Sequence, residues 1–348
     1  MQPCGTYNVK YEQDMAIIRT RFQWGLFIAF LVLLFALPSF LSLYWVSVLN
    51  IIGITIIAVH GLNILTGYCG QISMGQAAFM GVGGYTSAIL ATKLGWPFWA
   101  CLPTAAIVSG LVGLVFGASA ARVKGFYLAV ATLAAQFIII YIIEHWDLTG
   151  GIYGLAVPPP ELGGIVFNTD RSFAYIILVM VVLTTFLAKN IARTRMGRAF
   201  TAIKDNDLAA EVMGINLFAY KMAAFFICCA FAGIAGSLLA SYTGHIVSEQ
   251  FSLMDSIWYL GMIIVGGMGT TMGPIFGVVF LKLLQFVADM IGPQIGQAFP
   301  EMGGAITGSL TLAAFAIVIA LFLVFEPRGL SHRWEMFKAS YRLHPYSY

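Results

Sequence analysis

A chain of 348 residues in which 60% are hydrophobic and only 9% are Asp, Glu, Lys or Arg is not an ordinary soluble domain, where about a quarter of residues carry charge. Its mean hydropathy of +0.88 and repeated apolar stretches of about 20 residues, each long enough to cross a bilayer core, point to a helical protein that crosses a membrane many times. The net charge of +3 is too small to suggest a nucleic-acid partner; its distribution along the chain carries the information.

In chain order, a polar segment with Lys10, Arg19 and Arg21 precedes the first apolar run. It lacks a cleavable signal pattern, which suits an uncleaved first helix. Apolar runs bounded by charge or by Pro and Gly then give ten predicted spans, at 22–40, 45–66, 71–92, 97–121, 125–145, 172–190, 221–243, 254–269, 273–291 and 305–325. Glycine interrupts the third, eighth and ninth. The fold expected is all-α and polytopic, with about ten transmembrane helices, some broken or short, in a permease domain 22–325. A segment 1–21 precedes that domain and a tail 326–348 follows it.

Basic residues set the orientation. With an inside N-terminus, fifteen of eighteen fall on the cytoplasmic side, and Lys93, Arg171 and Lys282 fall elsewhere. Glu144, Asp147, Glu161, Asp170, Glu249, Asp255, Asp289 and Glu301 collect on the other face. Both termini are therefore expected in the cytoplasm. Ten spans agree, since an even number returns the chain to its starting side.

Three intervals stand out. The outward loop 145–171 contains Gly150-Gly151 and Pro158-Pro159-Pro160, which rule out a continuous helix; it reads as a docking surface or as a connection with ordered turns. The longest polar interval, 189–221, carries Lys189, Arg193, Arg195, Arg198, Lys204 and Lys221. Within it Ala199, Ile203, Ala210, Val212 and Met213 alternate with Asp205, Asn206, Asp207 and Glu211, and Gly214 follows. The spacing predicts an amphipathic cytoplasmic helix ended by the glycine, its entry held to lipid phosphates by long basic side chains. Third, two glycine-rich segments, 67–85 and 266–277, each place Ser or Thr before Met-Gly (Ser73-Met74-Gly75 and Thr271-Met272-Gly273). Broken helices at corresponding positions of two halves line the path in many transporters. Small residues such as Gly273 and Gly277 also serve close helix packing.

Several chemistries lack their residues. No lysine follows a glycine, so there is no phosphate-cradling G-x-x-x-x-G-K-[ST] and no expectation of ATP hydrolysis by this chain. No H-E-x-x-H or G-x-S-x-G occurs, and no catalytic residue, cofactor or metal site is predicted. Cys4, Cys69, Cys101, Cys228 and Cys229 form no C-x-x-C pair and read as small apolar residues. The polar groups at depth are Asn50, His60, Asn63, Gln71, Gln76 and Gln136. Lys282, with Asp289 seven residues on, is a functional candidate or a lysine reaching for the interface. The absence of acids in mid-span argues against a proton-coupled carrier.

Residues 61–90 (GLNILTGYCGQISMGQAAFMGVGGYTSAIL), 125–134 (GFYLAVATLA) and 146–155 (WDLTGGIYGL) resemble the LivM-type permeases of branched-chain amino acid ABC importers. So do 193–216 and 266–277, in the same order. G-Q-I-S at 70–73 separates the chain from the related urea permeases. The resemblance implies a multi-pass protein of the bacterial inner membrane. It implies as partners a second homologous permease, two ATP-binding-cassette ATPases and an extracytoplasmic substrate-binding protein. It further implies that the family's cytoplasmic docking pattern E-A-A-x-x-x-G lies at Asp207, Leu208, Ala209, Ala210, Glu211 and Gly214, with Leu208 in place of the leading Glu. The expected path-lining residues are Gln71, Ser73, Met74 and Gln76, with Thr271 and Met272. Gln76 stands where the family often has histidine, so no imidazole role transfers to it. Permeases for urea, amides and other small solutes, a stand-alone carrier and an intramembrane enzyme are the alternatives.

Overall fold

A computed structural model describes residues 21–120, 125–162, 165–298, 303–326 and 328–343. Residues 1–20 of the predicted segment 1–21 and 344–348 of the predicted tail, together with Arg122, Lys124 and Glu301, lie outside them. Ten long helices fall on the ten predicted intervals: α1 (Arg21–Phe40), α2 (Leu43–Leu62), α3 (Gln76–Lys93), α4 (Phe98–Ala120), α5 (Phe126–His145), α6 (Asp170–Arg193), α9 (Leu217–Thr243), α10 (Leu253–Gly266), α11 (Gly273–Ala298) and α12 (Gly303–Phe325). Among the described residues six helices are long and apolar enough to cross a membrane, or seven if the bent pair Leu312–Phe325 and Gly329–Ser340 makes one span. The six are Leu43–Tyr68, Phe98–Ser119, Tyr127–His145, Asp170–Arg193, Leu217–Thr243 and Gly273–Ile291. At 14 residues, α10 would extend only about 21 Å at 1.5 Å per residue, short of a bilayer core.

Helix α9 is the centre, packed on α2, α3 and α4. Backbone meets backbone there. A Cβ at Gly236 would overlap the Met80 carbonyl, one at Gly83 would overlap Gly233, and one at Gly84 would meet the Gly236 carbonyl oxygen at 3.0 Å. Ser109 on α4 has its hydroxyl 2.8 Å from the carbonyls of both Phe79 and Cys229, joining α3, α4 and α9. Helices α10 and α11 repeat the device: Gly266 lies against Gly273 and Gly277, and Gly277 against the Met262 carbonyl. Among apolar lipids, such close approach supplies the dispersion contacts that hold helices together.

The third predicted interval needs correction at its start. Residues 69–75 are not α-helical, and α3 begins at Gln76. The break leaves amide donors at depth, where water cannot serve them. Side chains do. Met74 N donates to Thr132 Oγ1 (2.9 Å), Ala77 N to Ser256 Oγ (2.9 Å) and Ala78 N to Gln136 Oε1 (2.9 Å). Gln136 Nε2 in turn donates to the Phe251 carbonyl at 2.8 Å. Gln136→Leu would strip partners from two backbone groups, at about 1–3 kcal/mol for each buried group left unpaired. It should lower the detergent melting temperature, whereas Gln136→Glu, which keeps the acceptor, should cost less.

Irregular structure closes one end. The strands β1 (Leu155–Ala156) and β4 (His245–Ile246) pair antiparallel, tying the 145–171 loop to the turn after α9; β2 (Glu161–Leu162) pairs with β3 (Ile165–Val166). Asp170 lies at the same end and accepts from Ser47 Oγ at 2.7 Å.

A second correction concerns 189–221, which is not one amphipathic helix. Helix α6 runs on to Arg193, and two short helices follow, α7 (Arg195–Asp205) and α8 (Asp207–Val212), before α9. Each start has its own cap: Thr194 Oγ1 accepts from Gly197 N, Asn206 Oδ1 from Ala209 N and Asn216 Oδ1 from Ala219 N. Three capping residues within 23 positions divide the interval where its apolar periodicity suggested continuity. The tail also folds, as α13 (Gly329–Leu343), with Trp334 edge-on to Phe276 of α11.

Candidate coupling and translocation site

The short helix α8 forms an outward-facing knuckle. Asn206 caps it, and it closes through Gly214 N to Glu211 O (2.9 Å) and Ile215 N to Ala210 O (3.0 Å). Gly214 adopts φ 84°, a left-handed conformation that a side chain would strain. Ala210 is 4% exposed and packs into the core. Asp207 is half-buried, and Ala209 and Glu211 are exposed. Val212 and Met213, expected on the apolar face, instead project outward at 88% and 82% exposure. Leu208 is 64% exposed, four residues before Val212, so the two share a helix face. The residue that departs from the family pattern thus contributes to an exposed apolar ridge.

The knuckle is joined through α7 to the helix breaks. The apolar side of α7 is buried: Phe200 is fully enclosed, edge-on to Tyr220, and Ala199 and Ile203 are buried beside it. At the last turn, Lys204 Nζ donates to the Gly67 carbonyl at 2.9 Å. Gly67 belongs to a π-helical turn, Asn63–Tyr68, that ends α2. Its carbonyl lies in the last turn, where acceptors lack intrahelical partners and a cation is favoured.

The two glycine-rich breaks meet at this point. Asn63 Nδ2 donates to the Thr270 carbonyl (2.8 Å), and Gly269 N donates to Asn63 Oδ1 (3.0 Å). Tyr68 and Thr271 hydroxyl oxygens stand 3.5 Å apart. A Cβ at Gly67 would strike both Asn63 Oδ1 and Gly269 N, so neither break admits a larger residue there without separation. Residues 203 to 207 positions apart in sequence are in contact.

The predicted path-lining residues are divided by this geometry. Gln71 is buried, its Oε1 without a hydrogen-bond partner. It borders a cavity of about 330 Å³ shared with Cys69, Lys204, Asp205, Asp207 and Lys221. Ser73 is enclosed, its hydroxyl 3.4 Å from Gly75 N, and Met74 is half-buried. Gln76 is fully enclosed and bonded at both ends of its amide: Nε2 donates to the Ala58 carbonyl (2.8 Å) and Oε1 accepts from Cys228 Sγ (3.1 Å). Thr271 is half-buried and Met272 exposed. The structure therefore brings Gln71 together with the 207–214 knuckle and sets Gln76 among helix-fastening groups. Sequence reasoning missed Asn63 and Lys204 as site residues. Asn63 was visible as an amide inside an apolar run, and Lys204 as the last cation before the docking pattern. Away from this junction, Lys282 Nζ donates to Gln285 Oε1 at 3.2 Å, and His60 Nε2 lies 3.0 Å from Thr185 Oγ1.

A profile of the family described as branched-chain amino acid transport system/permease component matches residues 44–324. The chain belongs to this permease family. It is 30% identical over 327 residues to the high-affinity branched-chain amino acid transport system permease protein LivM of Salmonella typhimurium, covering 87% of this chain and 73% of that protein. LivM of Escherichia coli is 29% identical over 328 residues, with the same coverage. The autoinducer 2 import permease LsrC of Shigella flexneri is 28% identical over 273 residues, covering 75% of this chain and 78% of LsrC. The matched span takes in both helix breaks and the whole 206–214 knuckle of the permease.

Proposed function

We propose that the protein is the membrane-spanning permease subunit of an ATP-binding-cassette importer for branched-chain or similar apolar amino acids, in a bacterial inner membrane. It forms a path with a second, homologous permease and is surrounded by lipid. Two ATPases act on the cytoplasmic knuckle 207–214, and an extracytoplasmic binding protein docks on the 145–171 side. All ten long helices span, some short or broken, and both termini are cytoplasmic. This chain contributes no ATPase site of its own. Gln71, Ser73, Met74, Gln76, Thr271 and Met272 belong to the segments that rearrange around the path.

The observation that carries this reading is the exposed turn 207–214, which sits one helix away from the meeting point of the two breaks within a family-matched chain. The count of basic residues in 189–221 and in the tail supports placing both on the cytoplasmic side. The test is uptake of labelled leucine into proteoliposomes. Import is expected only with both permeases, the ATPases, ATP and binding protein. Uptake by this chain alone under an ion gradient would overturn the reading. The LsrC similarity supports a second possibility, a solute other than an amino acid, and ligand binding by the cognate binding protein separates the two.

A further inference from the structure

We propose that Lys204 and Asn63 form a latch that makes the cytoplasmic helix α7 and the two helix breaks move as one body. The proposal rests on the importer reading of 207–214 and deepens it by naming the link between the ATPase-facing turn and the path. Lys204 stands three residues before the first residue of α8, and the stem of its side chain lies on Gly70, with Lys204 Cγ 3.1 Å from where a Cβ of Gly70 would be. Its ammonium ends on the Gly67 carbonyl. The same π-helical turn presents Asn63, whose amide bonds the second break through both its nitrogen and its oxygen, one bond each way to 270 and 269. A displacement of α8 therefore reaches the first break through one directional hydrogen bond, and the second break through two more.

The apolar contacts of Phe200 and Ile203 hold α7 against the protein, but their attraction is non-directional and tolerates sliding. The polar contacts fix register. A one-turn slip of α7 leaves the Gly67 carbonyl without its cation and the Lys204 stem without the glycine surface it crosses. The π-helical turn suits the role, since such turns recur at functional sites. Gly67 and Gly269 give the close backbone approach that lets Asn63 span the gap.

The test uses the complete transporter in lipid and reads ATP hydrolysed per solute imported. Lys204→Cys keeps an exposed side chain and removes the ammonium. The purified permease is alkylated with 2-bromoethylamine before the ATPases are added. The thiolate displaces bromide, and the new C–S bond restores an ammonium at nearly the length of lysine. The expected result for Lys204→Cys is normal recovery of ATPases, hydrolysis close to the native rate and import reduced by roughly tenfold or more. Aminoethylation returns import, while the same treatment of the native chain changes nothing. Asn63→Asp keeps the acceptor for Gly269 N, loses the donor to the Thr270 carbonyl, and should show the same uncoupling.

Import at the native ratio by Lys204→Cys would overturn the latch. So would lost import that alkylation does not restore. A native chain that recruits no ATPase would overturn the importer reading and the latch with it. Failure of the latch alone leaves recruitment intact, so the two failures are distinguishable.

Discussion

Replacing Val212 by glutamate should leave the permease folded and strip it of its ATPases. Val212 is 88% exposed, with Leu208 beside it one turn back, and neither supports the core. Burying a carboxylate without a partner in a protein interface, or losing an apolar anchor there, costs about 2–4 kcal/mol, roughly 30- to 1,000-fold in association. Detergent melting should stay at the native value, recovery of ATPases on the tagged permease should fall, and ATP-driven uptake should drop to background. Native recovery of ATPases would show that the knuckle is not the docking element. Ala210→Arg is a poorer probe, although the family pattern points to it. Ala210 is buried, so arginine there disturbs the turn before it disturbs any partner. Gly214→Pro has the same defect, because proline cannot take a positive φ and would remove the N–H that bonds Glu211.

The largest effect on folding is expected at Gly236. A Cβ there falls on the Met80 carbonyl and crowds Gly84 N, and both are backbone atoms of α3 that no rotamer change can move aside. Gly236→Val must push α9 away from α3, and the Ser109 bonds that join them to α4 go with it. Overpacking of this kind costs about 3 kcal/mol or more when rigid elements collide. The variant should lose the monodisperse peak in size-exclusion chromatography and melt far below the native protein. Gly25→Val is the control: nothing lies within 4 Å of a Cβ at Gly25, and its melting should not change. Equal stability of the two variants would refute the account of α9 as the centre of packing.

The comparison of these sites separates what is local from what is not. Apolar runs of span length mark the helices because a chain in hydrocarbon must satisfy its backbone hydrogen bonds within the helix. The positions of ten helices were therefore legible, apart from the start of α3, whereas α13 in the tail was not. The capping residues Thr194, Asn206 and Asn216 were also present to be read, yet the 3.6-residue periodicity across 199–213 suggested one helix. Capping is a local hydrogen bond, and it overrode a periodic pattern that crossed it.

Gln71 and Gln76 show the limit most directly. Both are amides in one glycine-rich stretch, and sequence alone treats them alike. Gln76 fastens α2 and α9 to α3 through both ends of its amide, whereas Gln71 leaves its carbonyl oxygen unbonded at a cavity beside Lys204. The difference lies in what stands opposite each side chain, and those neighbours come from helices far away in the chain.

The sequence by itself determined that this protein is a helical, membrane-embedded permease and where most of its helices run. Those properties follow from hydropathy, charge asymmetry and short motifs, each written within one stretch of chain. Only the tertiary structure decided that Leu208 and Val212 face outward while Ala210 faces in. It alone joined the break after α2 to the break before α11 through Asn63, with Lys204 bonded to the same turn. These are contacts across about 140 to 200 positions, set by how glycine-lined helices approach one another.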